Sequence, residues 1–400
     1  MSQAMPVARS HARSGPAVRA PADSAAAAPL GGLTPASFMR RYWQRRARLL
    51  RAALPGFAGL GSRAKLIALA CRDDVESRLV TRERGRWALA HGPFRAADFR
   101  GLPARDWTLL VQGVNLVDAR ADALMRRFAF VPWSRLDDLM VSVAVPGGGV
   151  GPHFDSYDVF LLQGYGRRRW RWGVQRDLSL VPGLPVKILA NFVPTHDAVL
   201  GPGDLLYLPP QAAHDGTAVD ECTTCSVGFR APLAQDVATA FLTHLADRID
   251  IGGRYADAGI RPARDPARIG ADAQRRYRDL LAKIRWTPRD VEAFVGEWLT
   301  EPKAQVVYAP PRRPLAPAGF ARSATRSGVV LDLATQALYD ARAIYVNGER
   351  HPWPARGRAA LARLADRRRL SAREAAALPA DALALIHAWY RHGWLRAGSG

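Results

Sequence analysis

Between residues 137 and 232 the chain is a succession of short apolar runs, each closed by Gly, Pro or Asp. DDLMVSVAVPGGG, DSYDVFLLQG, RRRWRWG, PVKILANFVPT, DAVLGPGDLLYLPP and CTTCSVGFRAP follow one another with no helical period between them. Many short strands with regular turn signals fold as a sandwich or a barrel. Such a fold gathers residues distant in sequence onto one inner surface, and strand parity then decides which side chains face it.

Within that stretch, GGGVGPHFDSYD holds His153 and Asp155. Side chains two residues apart on a strand point to the same side, so one imidazole and one carboxylate can reach a single metal ion. His214, in GDLLYLPPQAAHDGTA, is the third ligand candidate, at a separation that suits two strands meeting in a barrel. Two His and one carboxylate leave part of an octahedral sphere open, the arrangement of non-haem Fe(II) oxygenases. The glycine run before the pair carries no bulky side chain, which would let a ligand approach the backbone closely.

RRRWRW supplies a cation. Arg168, Trp170 and Trp172 share one parity, and the two tryptophans mark that side as the buried one. Arg167, Arg169 and Arg171 then face water. A buried guanidinium without an anion is costly, so Arg168 is expected to hold either a dicarboxylate in a bidentate fork or an acidic neighbour in an ion pair. Ser142, the polar residue inside LMVSVAV, is read either as a hydroxyl donor to the same carboxylate or as a satisfied core serine. Asp158 has the wrong parity to compete with Asp155, and GPGD makes Asp204 a turn residue. His196 is expected in an exposed loop; His387 and His392 are expected to pack on a terminal helix. His91, His244 and His351 lack partners that suggest ligation, and His11 lies in the N-terminal tail.

The chain has 400 residues, with 57 Lys and Arg against 36 Asp and Glu, a net charge of +21. That balance favours acidic surroundings such as nucleic acid or a ribonucleoprotein, although GC-rich coding, which enriches Arg along with Ala, Pro and Gly, would also produce it. Three cysteines exclude a disulfide scaffold. Cys222 and Cys225 form a C-x-x-C, but strand alternation sends the two thiols to opposite faces, which argues against a zinc or redox pair. No apolar run reaches bilayer length.

Outside the strand-rich stretch the texture is helical. LTPASFMRRYWQRRARLLRAAL has a Thr-Pro start and helical spacing, as do AQDVATAFLTHLADRI, PARIGADAQRRYRDLLAKIR and PRDVEAFVGEWLTEP. VVYAPPRRPLAPAG reads as a Pro-rich linker. The last portion combines helices with ARAIYVNGERHPW, a hairpin with an Asn-Gly turn.

Taken in order, the metal pair, glycine run, arginine cluster and distal histidine resemble the JmjC-type cupin oxygenases. The likeness is strongest over residues 105–232 and is closer still to the bacterial ribosomal oxygenases. It implies an α+β fold with a double-stranded β-helix (cupin, jelly-roll) core, a helical dimerisation region and a C-terminal winged-helix-like domain. It implies His153, Asp155 and His214 as ligands of Fe(II), Arg168 as the cation for the cosubstrate 2-oxoglutarate, with Ser142 lining that site, and O2 as oxidant. It also implies a cytoplasmic homodimer, with possible ribosome association, acting on a ribosomal protein. The activity implied is arginine 3-hydroxylation of large-subunit ribosomal protein sixteen. The expected layout is a basic tail over 1–32, the catalytic domain over 33–232, the dimerisation region over 233–302 and the winged-helix-like domain over 303–400. Tyr157, of ligand parity, is the candidate substrate contact. The rival reading is a non-catalytic basic barrel and winged helix that binds ribosomal RNA or DNA, and a membrane partner is not expected. In the oxygenase reading DNA is not a partner.

Overall fold

The computed structural model describes residues 28–398, so most of the expected N-terminal tail lies outside the described residues. Within that expected tail, Leu30 is fully buried in the main core. Eleven strands form the first part of the chain: β1 (Arg48–Leu50), β2 (Ser77–Glu83), β3 (Arg86–His91), β4 (Trp107–Val111), β5 (Leu136–Ala144), β6 (Val159–Gln163), β7 (Arg168–Gly173), β8 (His196–Leu200), β9 (Leu205–Leu208), β10 (Ala213–Ala218) and β11 (Cys222–Phe229). They pair in two sheets, of order β1-β9-β6-β11-β5-β4-β2-β3 and β10-β7-β8. The two sheets close on each other as a double-stranded β-helix.

Parity explains the layers. Val159 and Leu161 of β6 and Leu206 and Leu208 of β9 pack inward against Trp170, Trp172 and Leu200 of the smaller sheet. The alternate residues Phe160, Leu162, Leu205 and Tyr207 turn outward and are covered by helices, Phe38 among the contacts. Strands buried on both faces read as continuous apolar runs, as VFLLQ and WTLLV do.

The long N-terminal helix is cut short. Helix α1 (Pro35–Arg41) starts on the Thr34 cap but stops before Gln44, which takes a left-handed φ of 54°. There the Gln44 N–H donates to the Tyr207 hydroxyl (2.7 Å) and its amide to Asp158 (3.0 Å). Tertiary capture thus outweighs helical spacing, and the freed chain adds β1 beside β9. PVKILANFVPT likewise forms no strand; it folds over the neighbouring loop, with Leu189 paired to Leu180 and its N–H donated to Pro152.

The glycine run has a different purpose from the one its composition suggests. A Cβ on Gly148 would lie 2.1 Å from the Trp107 carbonyl oxygen, and one on Gly149 2.5 Å from the Gly216 carbonyl oxygen. These residues let backbones cross closely. Because the obstacles are backbone atoms, Gly148→Ala is expected to destabilise the protein by about 3 kcal/mol or more. A thermal melt unchanged in this variant would contradict the close crossing.

Helices α2 (Arg63–Ala70) and α3 (Ala119–Arg126) cover the outer sheet, and α4 (Ala234–Ala246), α5 (Ala271–Leu281) and α6 (Pro288–Thr300) follow the barrel. The remainder is α7 (Pro317–Ser327), β12 (Val329–Leu331), β13 (Ala337–Tyr339), β14 (Ala343–Val346), β15 (Glu349–Pro352), α8 (Arg358–Arg367), β16 (Arg369–Leu370), α9 (Ala372–Ala376), α10 (Ala380–Arg391) and β17 (Leu395–Ala397). It has its own core around Phe320, Leu361, Ile386 and Trp389. Asn347 and Gly348, at φ 52° and 85°, make the expected hairpin turn between β14 and β15. Gly296 of α6 sits where a Cβ would strike the Tyr345 ring, so α6 packs on this hairpin.

Candidate metal centre

His153 and His214 face each other across a single antiparallel bridge, each N–H bonded to the other's carbonyl (2.9 and 2.8 Å). His153 is therefore not inside a regular strand, and neither is Asp155, whose carbonyl is held by the Gln211 N–H (2.7 Å). The extended backbone still brings both side chains to one side. Donor atoms of His153, Asp155 and His214 all lie within 4.8 Å of one another.

Both imidazoles are oriented by the backbone. Nδ1 of His153 is 2.9 Å from the Gly151 carbonyl, and Nδ1 of His214 is 2.9 Å from the Ala212 carbonyl. A carbonyl only accepts, so each Nδ1 carries the proton and each Nε2 keeps its lone pair for a metal. Burial, followed by the neighbouring His153, pushes His214 down to about 4, which keeps it neutral as a ligand must be.

The smaller sheet carries Arg168. Register places Trp172 opposite His214, Trp170 opposite Gly216 and Arg168 opposite Ala218, so all three face the barrel interior with the histidine. Gly216 is required here, because a Cβ would meet the Trp170 ring at 2.6 Å. Arg167, Arg169 and Arg171 face outward and pair with Asp220, Asp197 and Asp215. Arg168 is 5% exposed, and its Nε and Nη2 have no hydrogen-bond partner. The structural ion pair left open by the sequence does not form among the described residues. Trp170 Nε1 and Thr108 Oγ1 are unpartnered as well, and Thr108 pairs with Ala144 on the same inner face. Unmet donors around a buried cation suit an anionic ligand, since leaving them unpaired costs several kcal/mol.

Ser142 also points inward, in a row with Thr224 and Gln163 on neighbouring strands. Its hydroxyl meets the Thr224 carbonyl only at 3.5 Å, while Thr224 donates to Gln163 (3.2 Å).

Two rungs along β5, Asp138 shares this inner face. Its Oδ2 accepts from Gln112 (2.6 Å) and from the Gly113 N–H (3.0 Å). Burial holds its carboxyl above the usual range despite Lys303 nearby. Partial burial and the neighbouring charges of Asp155 and Asp138 raise the Tyr157 phenol. Nothing in DDLMVSVAV singles out Asp138 except its parity with Ser142.

The other candidates are structural. Asp158 is fully buried and accepts from the Tyr207 hydroxyl (2.6 Å). Asp204 accepts from the Ala52 N–H (2.9 Å) in a turn. His196 opens β8 rather than lying in a loop, and it stacks on Trp172 with ring centroids 5.1 Å apart. Cys222 packs with Ala144 and Ala218 inside the barrel, and Cys225 joins the outer core, on opposite faces as alternation requires.

A family model described as the JmjC domain matches residues 123–237, and one described as a ROXA-like winged helix matches residues 283–396. The ribosomal protein uL16 3-hydroxylase of Escherichia coli is 35% identical over 321 residues, covering 80% of this chain and 86% of the relative. Human ribosomal oxygenase 1 is 30% identical over 213 residues, 47% of this chain and 31% of its own. Among solved structures, the Escherichia coli ribosomal oxygenase YcfD in complex with cobalt and 2-oxoglutarate matches with a TM-score of 0.78 at 33% identity, covering 91% of this chain and 98% of that one. The likeness runs through the barrel and the terminal domain alike, and the chain belongs to the JmjC-domain ribosomal oxygenases.

Proposed function

We propose that this protein is an Fe(II)- and 2-oxoglutarate-dependent hydroxylase of an arginyl residue in ribosomal protein uL16. The observation that carries the reading is Arg168: a buried guanidinium with unmet donors, on the same inner face as a His-Asp-His cluster. His153, Asp155 and His214 would hold the ion on one side through two Nε2 atoms and one carboxylate. When bound, ferrous iron with 2-oxoglutarate and O2 supplies the oxidant that turns C–H into C–OH, releasing succinate and CO2. Arg168 would grip the distal carboxylate of the keto-acid and fix its orientation, with Ser142 and the Thr224–Gln163 pair lining the wall. Asp138, with Oδ2 anchored by Gln112 and Gly113, would offer Oδ1 to the substrate guanidinium beside the Tyr157 ring. A fixed carboxylate at that position supports a cationic side chain as substrate.

Helices α4 and α5 leave Leu242, Tyr277 and Leu281 exposed, which supports a homodimer through residues 233–302. No helix among the described residues is long and apolar enough to cross a membrane; we place the protein in the cytoplasm with its ribosomal substrate.

The test is to incubate the protein with uL16, Fe(II) and 2-oxoglutarate. One oxygen atom should be added to a single arginine, with matching succinate. Asp138→Asn should raise the KM for uL16 by about tenfold, the cost of weakening one charged hydrogen bond, while succinate formed without substrate is unchanged. No mass gain on uL16 would reject the substrate.

A further inference from the structure

The proposed reaction does not use the net charge of +21, and that charge is unevenly placed. Residues 233–302 hold eleven Lys and Arg against eleven Asp and Glu, whereas residues 303–398 hold sixteen against six. GC-rich coding would raise arginine in both segments. It does not explain why the acids are missing from only one. Nearly half of the net charge therefore sits on the terminal domain.

The structure narrows this to one face. In the sheet β16-β12-β17, Arg369 and Arg396 both pair with Val330 of the central strand. Directly opposed residues share a face, and Val329 and Leu331 are buried, so this face is the outer one. Arg369 and Arg396 are exposed on it, about 10 Å apart across two strand spacings. Arg326, in the last turn of α7, and Arg373 of α9 flank the same edge, where a Gly328 Cβ would touch the Leu370 carbonyl and the Ala372 nitrogen.

None of the four has an ion pair with a described residue. The acids within reach are already committed. Glu374 caps Ser371 and pairs with Arg363 and Arg367, and Asp332 accepts from the Ala334 N–H. The same pairing disarms α8 as a DNA-reading helix: Arg363 and Arg367 are engaged there, and the next residue, Arg368, is buried against Asp122 of α3. Arg369 and Arg396 lie on a sheet face, with Arg326 and Arg373 on the helices beside it, and not along one helix that could enter a major groove.

We propose that the Arg369–Arg396 face binds the phosphate backbone of RNA. The choice of RNA over DNA rests on the ribosomal-protein substrate proposed above and on the engaged cations at the end of α8. Phosphate contacts of this kind hold a protein in place without reading sequence.

The test uses the full chain and a fluorescein-labelled RNA hairpin in anisotropy titrations at several salt concentrations. R369E/R396E should weaken binding at least tenfold and lower the salt slope by about 2, one unit per lost phosphate contact. Hydroxylation of a free uL16 peptide by this variant should not change, which separates failure here from failure of the catalytic reading. R254E/R261E makes the same charge change among exposed residues of the middle segment, and it should bind RNA like the parent. Equal weakening by both double variants, or parental binding by R369E/R396E, overturns the proposal. Tighter binding of a DNA duplex of the same length overturns the choice of RNA.

Discussion

Asp155→Ala should abolish uL16-dependent succinate formation while the fold persists. Asp155 would supply the anionic ligand of the cluster, and its carboxylate lies 3.7 Å from His214 Nε2. Its removal leaves two neutral imidazoles, whose lone pairs already point inward because their Nδ1 atoms are tied to Gly151 and Ala212. Two nitrogens hold ferrous iron weakly, and losing a direct ligand should exceed the 10–100-fold penalty of losing an outer partner. The side chain is not part of the apolar core, so the melting temperature of the metal-free protein should stay within a few degrees of the parent. Activity within tenfold of the parent would mean that the ion, if any, is held elsewhere.

Arg168→Met separates binding from folding in the opposite direction. In the absence of ligand, the parent carries a buried guanidinium with two unpartnered nitrogens beside Trp170. Methionine of similar length removes that charge, and such replacements are often stabilising by about 1–4 kcal/mol. The ligand-free variant should thus melt higher than the parent. With a bidentate carboxylate contact gone, at about 1.5–3 kcal/mol per charged hydrogen bond, the KM for 2-oxoglutarate should rise about 100-fold or more. The parent should gain stability when 2-oxoglutarate is added and the variant should not. A variant that is both less stable and unaltered in KM would show that Arg168 is structural, as a non-catalytic barrel would need.

Much of this site was legible before any coordinates because strand alternation is rigid. Two tryptophans in RRRWRW fixed which arginine turns inward, and the structure pairs the other three outside. The Cys222–Cys225 spacing likewise places one thiol inside and one outside the barrel. Where local spacing competed with distant partners it misled. RRYWQRRARLL has helical period, but the Tyr207 hydroxyl and Asp158 capture Gln44 and end the helix. The glycines before His153 suggest ligand access, yet the crowding at Gly148 and Gly149 comes from other strands.

By itself the sequence determined the donor types, the inward parity of Arg168 and the strand-rich middle, since these depend on side-chain chemistry and a two-residue repeat. Only the tertiary structure decided that His153 bridges His214, that Asp138 shares the inner face with Ser142 and that Arg369 and Arg396 share an outer face. Each of those depends on pairing register between segments far apart along the chain, and register is set by the whole core.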